Sequence, residues 1–277
     1  WISLGILNFQ PAEFAKLALT CFLASYFTRR YDEVRGKKFS AAKPFIVMGV
    51  LGIFLLAQPD LGSTVVLFVI TFGMLFIVGA NFWQFILLIG TGILLFVWLV
   101  LSASYRLKRF TGFLEPFKDP YGTGFQLTNS LMAFGRGEIS GEGLGNSIQK
   151  LDYLPEAHTD FIMAIIGEEF GFIGILVVVI LLGLLIFRAM KIGRESLMLE
   201  QRFRGFFALG ISFWIFFQGF VNLGMALGML PTKGLTFPLV SYGGSSIIIM
   251  SATVGILLRI DHENRLQRGG QARLRDD

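Results

Sequence analysis

The sequence predicts an all-α integral membrane protein, a multi-span helical bundle with one long extracytoplasmic loop. Three observations carry this reading. Hydrophobic residues fill 54% of the 277 positions and charged ones 16%, and mean hydropathy is +0.66, a composition that excludes disorder and disfavours a soluble single-core domain. Charge-free stretches run from Leu61 to Tyr105, from Gly205 to Thr232 and from Gly234 to Leu258, each long enough for one or two spans of about 20 residues. No alternating strand period runs through them, so helices are expected rather than a barrel. The net charge of +5 sits mostly in connections, where it reports orientation more than nucleic-acid binding, and no nucleic-acid partner is expected. Cys21 is the only cysteine, which rules out an internal disulfide and a cysteine-built metal site.

Asn8-Phe9-Gln10-Pro11 leads into a first span of Ala12 to Thr28, with Pro11 in the first turn, where its missing N–H costs nothing. Glu13 and Lys16 follow at i,i+3 in the favourable order, as a neutralised clasp or as one wall of a polar cavity. Arg29, Arg30, Arg35, Lys37, Lys38 and Lys43 crowd the next connection, which marks the cytoplasmic side. Pro44 to Ala57 returns, Gln58-Pro59-Asp60-Leu61-Gly62 turns, and spans at Ser63 to Ala80 and Gln84 to Leu101 follow around a short turn at Asn81 to Trp83.

The stretch 102–159 is then a long extracytoplasmic loop, rich in glycine and basic residues, with Leu127, Leu131 and Phe134 at helical spacing, so that Phe125 to Phe134 is expected as a half-buried surface helix. Span five runs from Asp160 to Phe187 and ends on Arg188, Lys191 and Arg194; span six is Gly205 to Leu230; span seven is Pro238 to Ile260; and 261–277 is a cytoplasmic tail. Seven spans with the N-terminus outside and the C-terminus inside satisfy every basic cluster. The whole of 1–277 reads as one membrane domain, and its start at Trp1, with an apolar motif-rich segment following at once, leads to the expectation that further spans precede it.

Carboxylates at a membrane boundary are costly unless partnered or wetted, which makes Asp160, Glu168 and Glu169 functional candidates. On a continuous helix Asp160, Ala164, Gly167, Gly171 and Gly174 share one face, either a groove beneath an acid or a stripe for close helix packing. Glu168 would then lie about 12 Å deeper than Asp160 and be turned about 80° from it. Such a separation excludes the retaining-glycosidase pair, whose carboxylates stand about 5 Å apart. Burial beside lipid favours a neutral carboxyl and a nearby cation favours a charged one, so the protonation of Asp160 stays open at this level. His158 is either a base or an orienting group. Lys233 with Ser241, Gly243, Gly244, Ser245 and Ser246 forms a second constellation, suited to an anion such as phosphate or simply to helix packing. Nucleotide-binding, serine-hydrolase and zinc-protease motifs are absent from the sequence.

QPAEFAK at 10–16, QPDLG at 58–62, AFGRG at 133–137, LPEAHTDF at 154–161 and SYGGSS at 241–246, in this order, resemble the SEDS family of shape, elongation, division and sporulation proteins, and the likeness runs nearly end to end. PTKGLT at 231–236 and IGEE at 166–169 are similar to its division members more than to its elongation members. The family typically has about ten spans, and the seven here would match the later ones.

The resemblance implies an inverting peptidoglycan glycosyltransferase that polymerises lipid II into undecaprenyl-linked glycan for the septum. It implies a bacterial cytoplasmic membrane location with the C-terminus inside, a class B penicillin-binding protein and other division proteins as partners, and a divalent cation such as Mg or Mn. It also implies Asp160 as the catalytic residue and Glu13 and Lys16 as lining of a central cavity. The charge on the leaving pyrophosphate would fall to Lys233, to loop arginines such as Arg109 and Arg136, or to the cation. The alternatives are a lipid II flippase and a noncatalytic scaffold that recruits the penicillin-binding protein.

Overall fold

The structure is a computed structural model and describes residues 2–3, 8–36, 42–80, 82–102, 112–232 and 234–276. Among them helices occupy each of the seven segments expected to span: α1 (Pro11–Arg29), α3 (Ala42–Ala57), α4 (Leu61–Val78), α5 (Phe82–Leu101), α7 (Ile162–Met198), α8 (Arg202–Ala226) and α9 (Gly244–Asp276). Short α2 (Tyr31–Gly36) and the loop helix α6 (Phe125–Gly137) lie between them, and β1 (Ile2–Ser3) pairs antiparallel with β2 (Asn8–Phe9). Among the described residues four helices, α4, α7, α8 and α9, are long and apolar enough to cross a membrane. Large apolar side chains stand exposed along α7, among them Phe172, Ile173, Val177, Ile180, Leu184 and Phe187. Water would not tolerate so long a run of them, whereas lipid does.

The chain folds as two compact units, 1–89 with 184–216 and 244–277, and 90–183 with 217–243. In the first, α1 packs on α4 and α9, and α3 packs on α4. Leu19, Leu23, Ala24 and Phe27 of α1 are buried, as are Leu67, Ile70 and Met74 of α4 and Ile211 and Trp214 of α8. Close approach depends on small residues: a methyl on Gly73 would meet the Phe213 ring at 2.1 Å, and one on Gly210 would meet Met74 Sδ at 2.7 Å. Asp60 caps α4 by accepting the Ser63 N–H at 2.9 Å, and Gly79 ends it at φ 77°.

Two expected ends move in this unit. Spans five and seven were expected to stop at Phe187 and Ile260, but α7 runs on to Met198 and α9 to Asp276, so the described part of 261–277 is helix. The extensions hold one another. Asn264 Nδ2 donates to the Ile192 carbonyl at 3.2 Å and to Ser196 Oγ at 2.9 Å. Asp261 pairs with Arg188 at 3.6 Å and Glu195 with Arg268 at 3.3 Å, while Glu263 meets Arg204. Basic residues read only as markers of orientation are thus matched by carboxylates on a neighbouring helix. The start of span seven moves too, because Pro238 to Gly243 is not helical and α9 begins at Gly244.

The second unit is built on the long loop. Its core is Ala133, Leu154, Ala157, Phe161, Ala164, Ile165 and Ala226, with Phe134 packed against it. Ser130 Oγ donates to the Ala226 carbonyl at 2.7 Å, tying α6 to the end of α8. A π-helical turn at Gln149–Tyr153 and a series of turns over 155–161 carry the chain into α7.

α7 breaks at Gly171, whose φ of 66° and ψ of −162° lie outside any helix. At the break the loop takes over the helix's own hydrogen bonds. Phe172 and Ile173 donate to the carbonyls of Glu138 and Ile139 at 2.9 and 3.2 Å, and the carbonyls of Glu168 and Glu169 accept from Glu142 and Gly143, each at 3.0 Å. A shared face from Asp160 to Gly174 therefore does not exist. Asp160 precedes the helix, and a methyl on Gly167 would strike the Phe134 ring at 2.5 Å, so the small residues serve packing.

Candidate active site

Asp160 sits in the turn before α7, and its backbone is held from three sides within the second unit. Three successive carbonyls accept one hydrogen bond each. His158 receives the Tyr242 N–H at 2.8 Å, Thr159 the Ser241 hydroxyl at 2.6 Å, and Asp160 the Asn222 Nδ2 at 2.7 Å. The turn closes on itself as Thr159 and Phe161 donate to the Glu156 carbonyl at 3.1 and 3.2 Å. Glu156 adopts φ 58°, a left-handed value that keeps the turn from extending into helix. Gly234 lies against the carboxylate, so that a methyl there would stand 3.3 Å from Asp160 Oδ2.

The constellation built on serine and glycine divides. Ser241 Oγ donates to the Thr159 carbonyl and accepts the Phe237 N–H at 2.6 Å, and Gly243 donates to the Ser241 carbonyl at 2.9 Å. Gly244 opens α9, and Ser245 Oγ accepts the Gln10 N–H at 2.9 Å in the first unit. Lys233 and Arg109 lie outside the described residues. The His158 side chain is exposed.

Arg136 is engaged by acids. Its Nη1 donates to Glu168 Oε1 at 3.0 Å, and its Nε stands 3.8 Å from Glu142. Glu168 is completely buried and also accepts the Ser147 hydroxyl at 2.5 Å and the N–H groups of Ile148 and Gln149 at 3.1 and 3.2 Å. A buried carboxylate survives only with such a full set of donors. Lys150 Nζ meets Glu169 at 2.5 Å. Both acids, costly at a membrane boundary unless partnered, are partnered here. Their depth below Asp160, reckoned on a continuous helix, does not apply, because Asp160 is not on it.

Glu13 and Lys16 form a buried ion pair in the first unit, at 2.8 Å, with Lys16 Nζ 5.6 Å from the centroid of the Trp214 ring. Among the described residues no three His, Cys, Asp or Glu side chains gather as metal ligands. Among the described residues the donor set offers no ready cage for a divalent cation. An apolar depression of about 480 Å³ on α7, lined by Ile166, Phe170, Ile173, Gly174, Val177, Val178 and Ser140, is chemically unlike the Asp160 turn.

Sequence reasoning missed Asn222 and Gln218, both fully buried. Asn222 Nδ2 also donates to the Leu235 carbonyl at 2.6 Å, and Gln218 Nε2 donates to the Thr236 carbonyl at 2.9 Å. The available signal was two amides one helical turn apart in an otherwise apolar span, where polar side chains mark contacts.

Fold and site together define a polytopic helical membrane protein with one acidic turn held rigidly by buried polar groups. The model of the FtsW/RodA/SpoVE family of cell cycle proteins matches residues 1–266, and the chain belongs to that family. A probable peptidoglycan glycosyltransferase FtsW of Haemophilus influenzae is 88% identical over the whole chain and 70% of its own length. Its counterpart in Pasteurella multocida is 83% identical over the same shares. The Escherichia coli O157:H7 protein of that name is 57% identical over 97% of this chain and 65% of its own. Among solved structures, a chain from a peptidoglycan synthase complex coordinating polymerization and crosslinking superposes with TM-score 0.76 at 30% identity, covering 95% of this chain and 73% of that one. The rod shape determining protein RodA of Thermus thermophilus superposes with TM-score 0.64 at 28% identity, covering 95% and 69%.

Proposed function

We propose that this protein is a peptidoglycan glycosyltransferase that polymerises lipid II at the outer face of the bacterial cytoplasmic membrane during septal wall synthesis. The observation that carries the chemistry is the acidic turn, in which three consecutive backbone carbonyls are fixed and Gly234 leaves room beside the carboxylate. A carboxylate so placed acts as a general base. Asp160 takes the proton of the acceptor sugar hydroxyl as that oxygen attacks the anomeric carbon of the donor, the new glycosidic bond forms with inversion, and the lipid-linked pyrophosphate departs with its electron pair. The leaving group needs no proton, so one carboxylate suffices. Arg136 and Lys150 are committed to the buried acids Glu168 and Glu169, and Lys233 and Arg109 are our candidates to meet the pyrophosphate charge. A divalent cation in this scheme arrives on the substrate's phosphates, and no step depends on it.

Seven spans with the N-terminus out and the C-terminus in place Asp160 and the loop outside. A class B penicillin-binding protein cross-links the product, a reading supported by the likeness to a chain of a peptidoglycan synthase complex. Glu13 and Lys16, buried and paired with each other, act as a neutralised clasp within the first unit. The test is a polymerisation assay on purified, partner-bound protein. Asp160→Asn is expected to leave folding and partner binding intact and to abolish glycan chains on a gel. Full-length chains from that variant would remove Asp160 from the reaction, and transport of labelled lipid II without polymer by the unaltered protein would favour a flippase.

A further inference from the structure

We infer that Asn222 is a positioning residue for the reaction, holding Asp160 in place through the backbone of its turn; this rests on the proposed role of Asp160 as base. Asn222 is fully buried near the end of α8, and its side chain joins the Asp160 carbonyl to the segment that follows Gly234. Its amide nitrogen donates to two carbonyls from distant parts of the chain, Asp160 at 2.7 Å and Leu235 at 2.6 Å. Both partners can only accept, so the orientation of the amide is forced: the nitrogen and not the oxygen must face them. Its Oδ1 is buried and accepts no hydrogen bond among the described residues, whereas its Nδ2 serves both carbonyls.

Leu235 directly follows Gly234, whose missing side chain leaves the Asp160 carboxylate its space. One amide thus sets the distance between the base and the wall beside it. A loop carboxylate without such a brace would wander by an ångström or more. A displacement of that size in a catalytic group costs on the order of 100-fold in rate.

Asn222→Asp tests this with almost no change of shape. Its burial against two carbonyls favours the neutral acid, which keeps one donor for two acceptors, and ionisation removes that donor as well. In the full chain bound to its partner, kcat for lipid II polymerisation is expected to fall on the order of 100-fold, with KM within a few-fold and partner binding unchanged. Raising the pH should deepen that loss in Asn222→Asp, because ionisation removes the donor the neutral acid still offers. The unaltered enzyme should move the other way, because its base must be ionised. A merely structural role would lower the yield of folded protein without this inverted pH profile.

Wild-type kcat in Asn222→Asp, or a loss that does not deepen as the pH rises, overturns the inference. Should that variant fail to accumulate, Asn222→Ser, which keeps one donor, is read by its split between kcat and KM. Absence of both from the membrane would make Asn222 a folding residue and also overturn it. The two proposals fail separately. Activity in Asp160→Asn sinks the base assignment, whereas an inactive Asp160→Asn beside a normal Asn222→Asp sinks only the positioning role.

Discussion

At the scale of single residues, charge burial is this chain's most exacting demand. Glu13 and Lys16 are 3% and 0% exposed and stand 2.8 Å apart, so removing one strands the other. Lys16→Met is expected to cost about 3–5 kcal/mol of stability, most of it recovered when Glu13→Gln is added, since a buried pair replaced whole is close to neutral. Thermal unfolding in detergent of the single and double variants measures this, and equal melting temperatures would refute it. The pair was legible because its i,i+3 spacing is local. Glu168 was legible as an acid that must be partnered, but its donors at Arg136, Ser147, Ile148 and Gln149 come from far along the chain and carry no sequence signal of their own. Asn222 escaped because an amide does not interrupt a charge-free stretch, and charge was what delimited the spans.

At the scale of elements, the place of each long helix was foreseen, the ends of α7 and α9 were not, and α7 was not understood. Periodicity places Gly167, Gly171 and Gly174 on one stripe, and nothing in a period distinguishes a glycine chosen for packing from one chosen for a positive φ. Gly171 is both unhelical and crowded, and a methyl on it would lie 2.4 Å from the Ile139 carbonyl oxygen. Gly171→Ala should therefore cost roughly 1–3 kcal/mol from backbone strain alone, and it should free the loop, because that strain is relieved by straightening α7. The amides of Glu142 and Gly143, which donate to the carbonyls of Glu168 and Glu169, are expected to lose protection against hydrogen exchange in this variant while those of α8 keep theirs. Unchanged protection at both amides would show that the break does not depend on glycine.

At the scale of the whole molecule, hydropathy and five ordered motifs were enough to read class and family, because both depend on composition and local order. The helical continuation of α9 beyond Ile260 was hidden, since its charges look like a solvated tail until the matching acids and arginines are set side by side. The topology itself is testable. With Cys21→Ser as background, Tyr121→Cys, at a site 91% exposed, should react with a membrane-impermeant maleimide in right-side-out vesicles. Gly269→Cys should react only after permeabilisation, and the reverse pattern would invert the proposed orientation.

The break in α7 has a mechanical consequence. Loop and helix have exchanged partners there, two hydrogen bonds given and two received, so neither strand of the exchange can let go of one bond and keep a satisfied backbone. Sliding by a residue would move Gly171 and Gly141 off the only positions where their φ values of 66° and 78° are cheap. The joint behaves as a catch rather than a spring, closed in one register or open altogether. Whatever pulls on the loop is met by a threshold, and below it the acidic turn that follows in the chain is insulated from the pull.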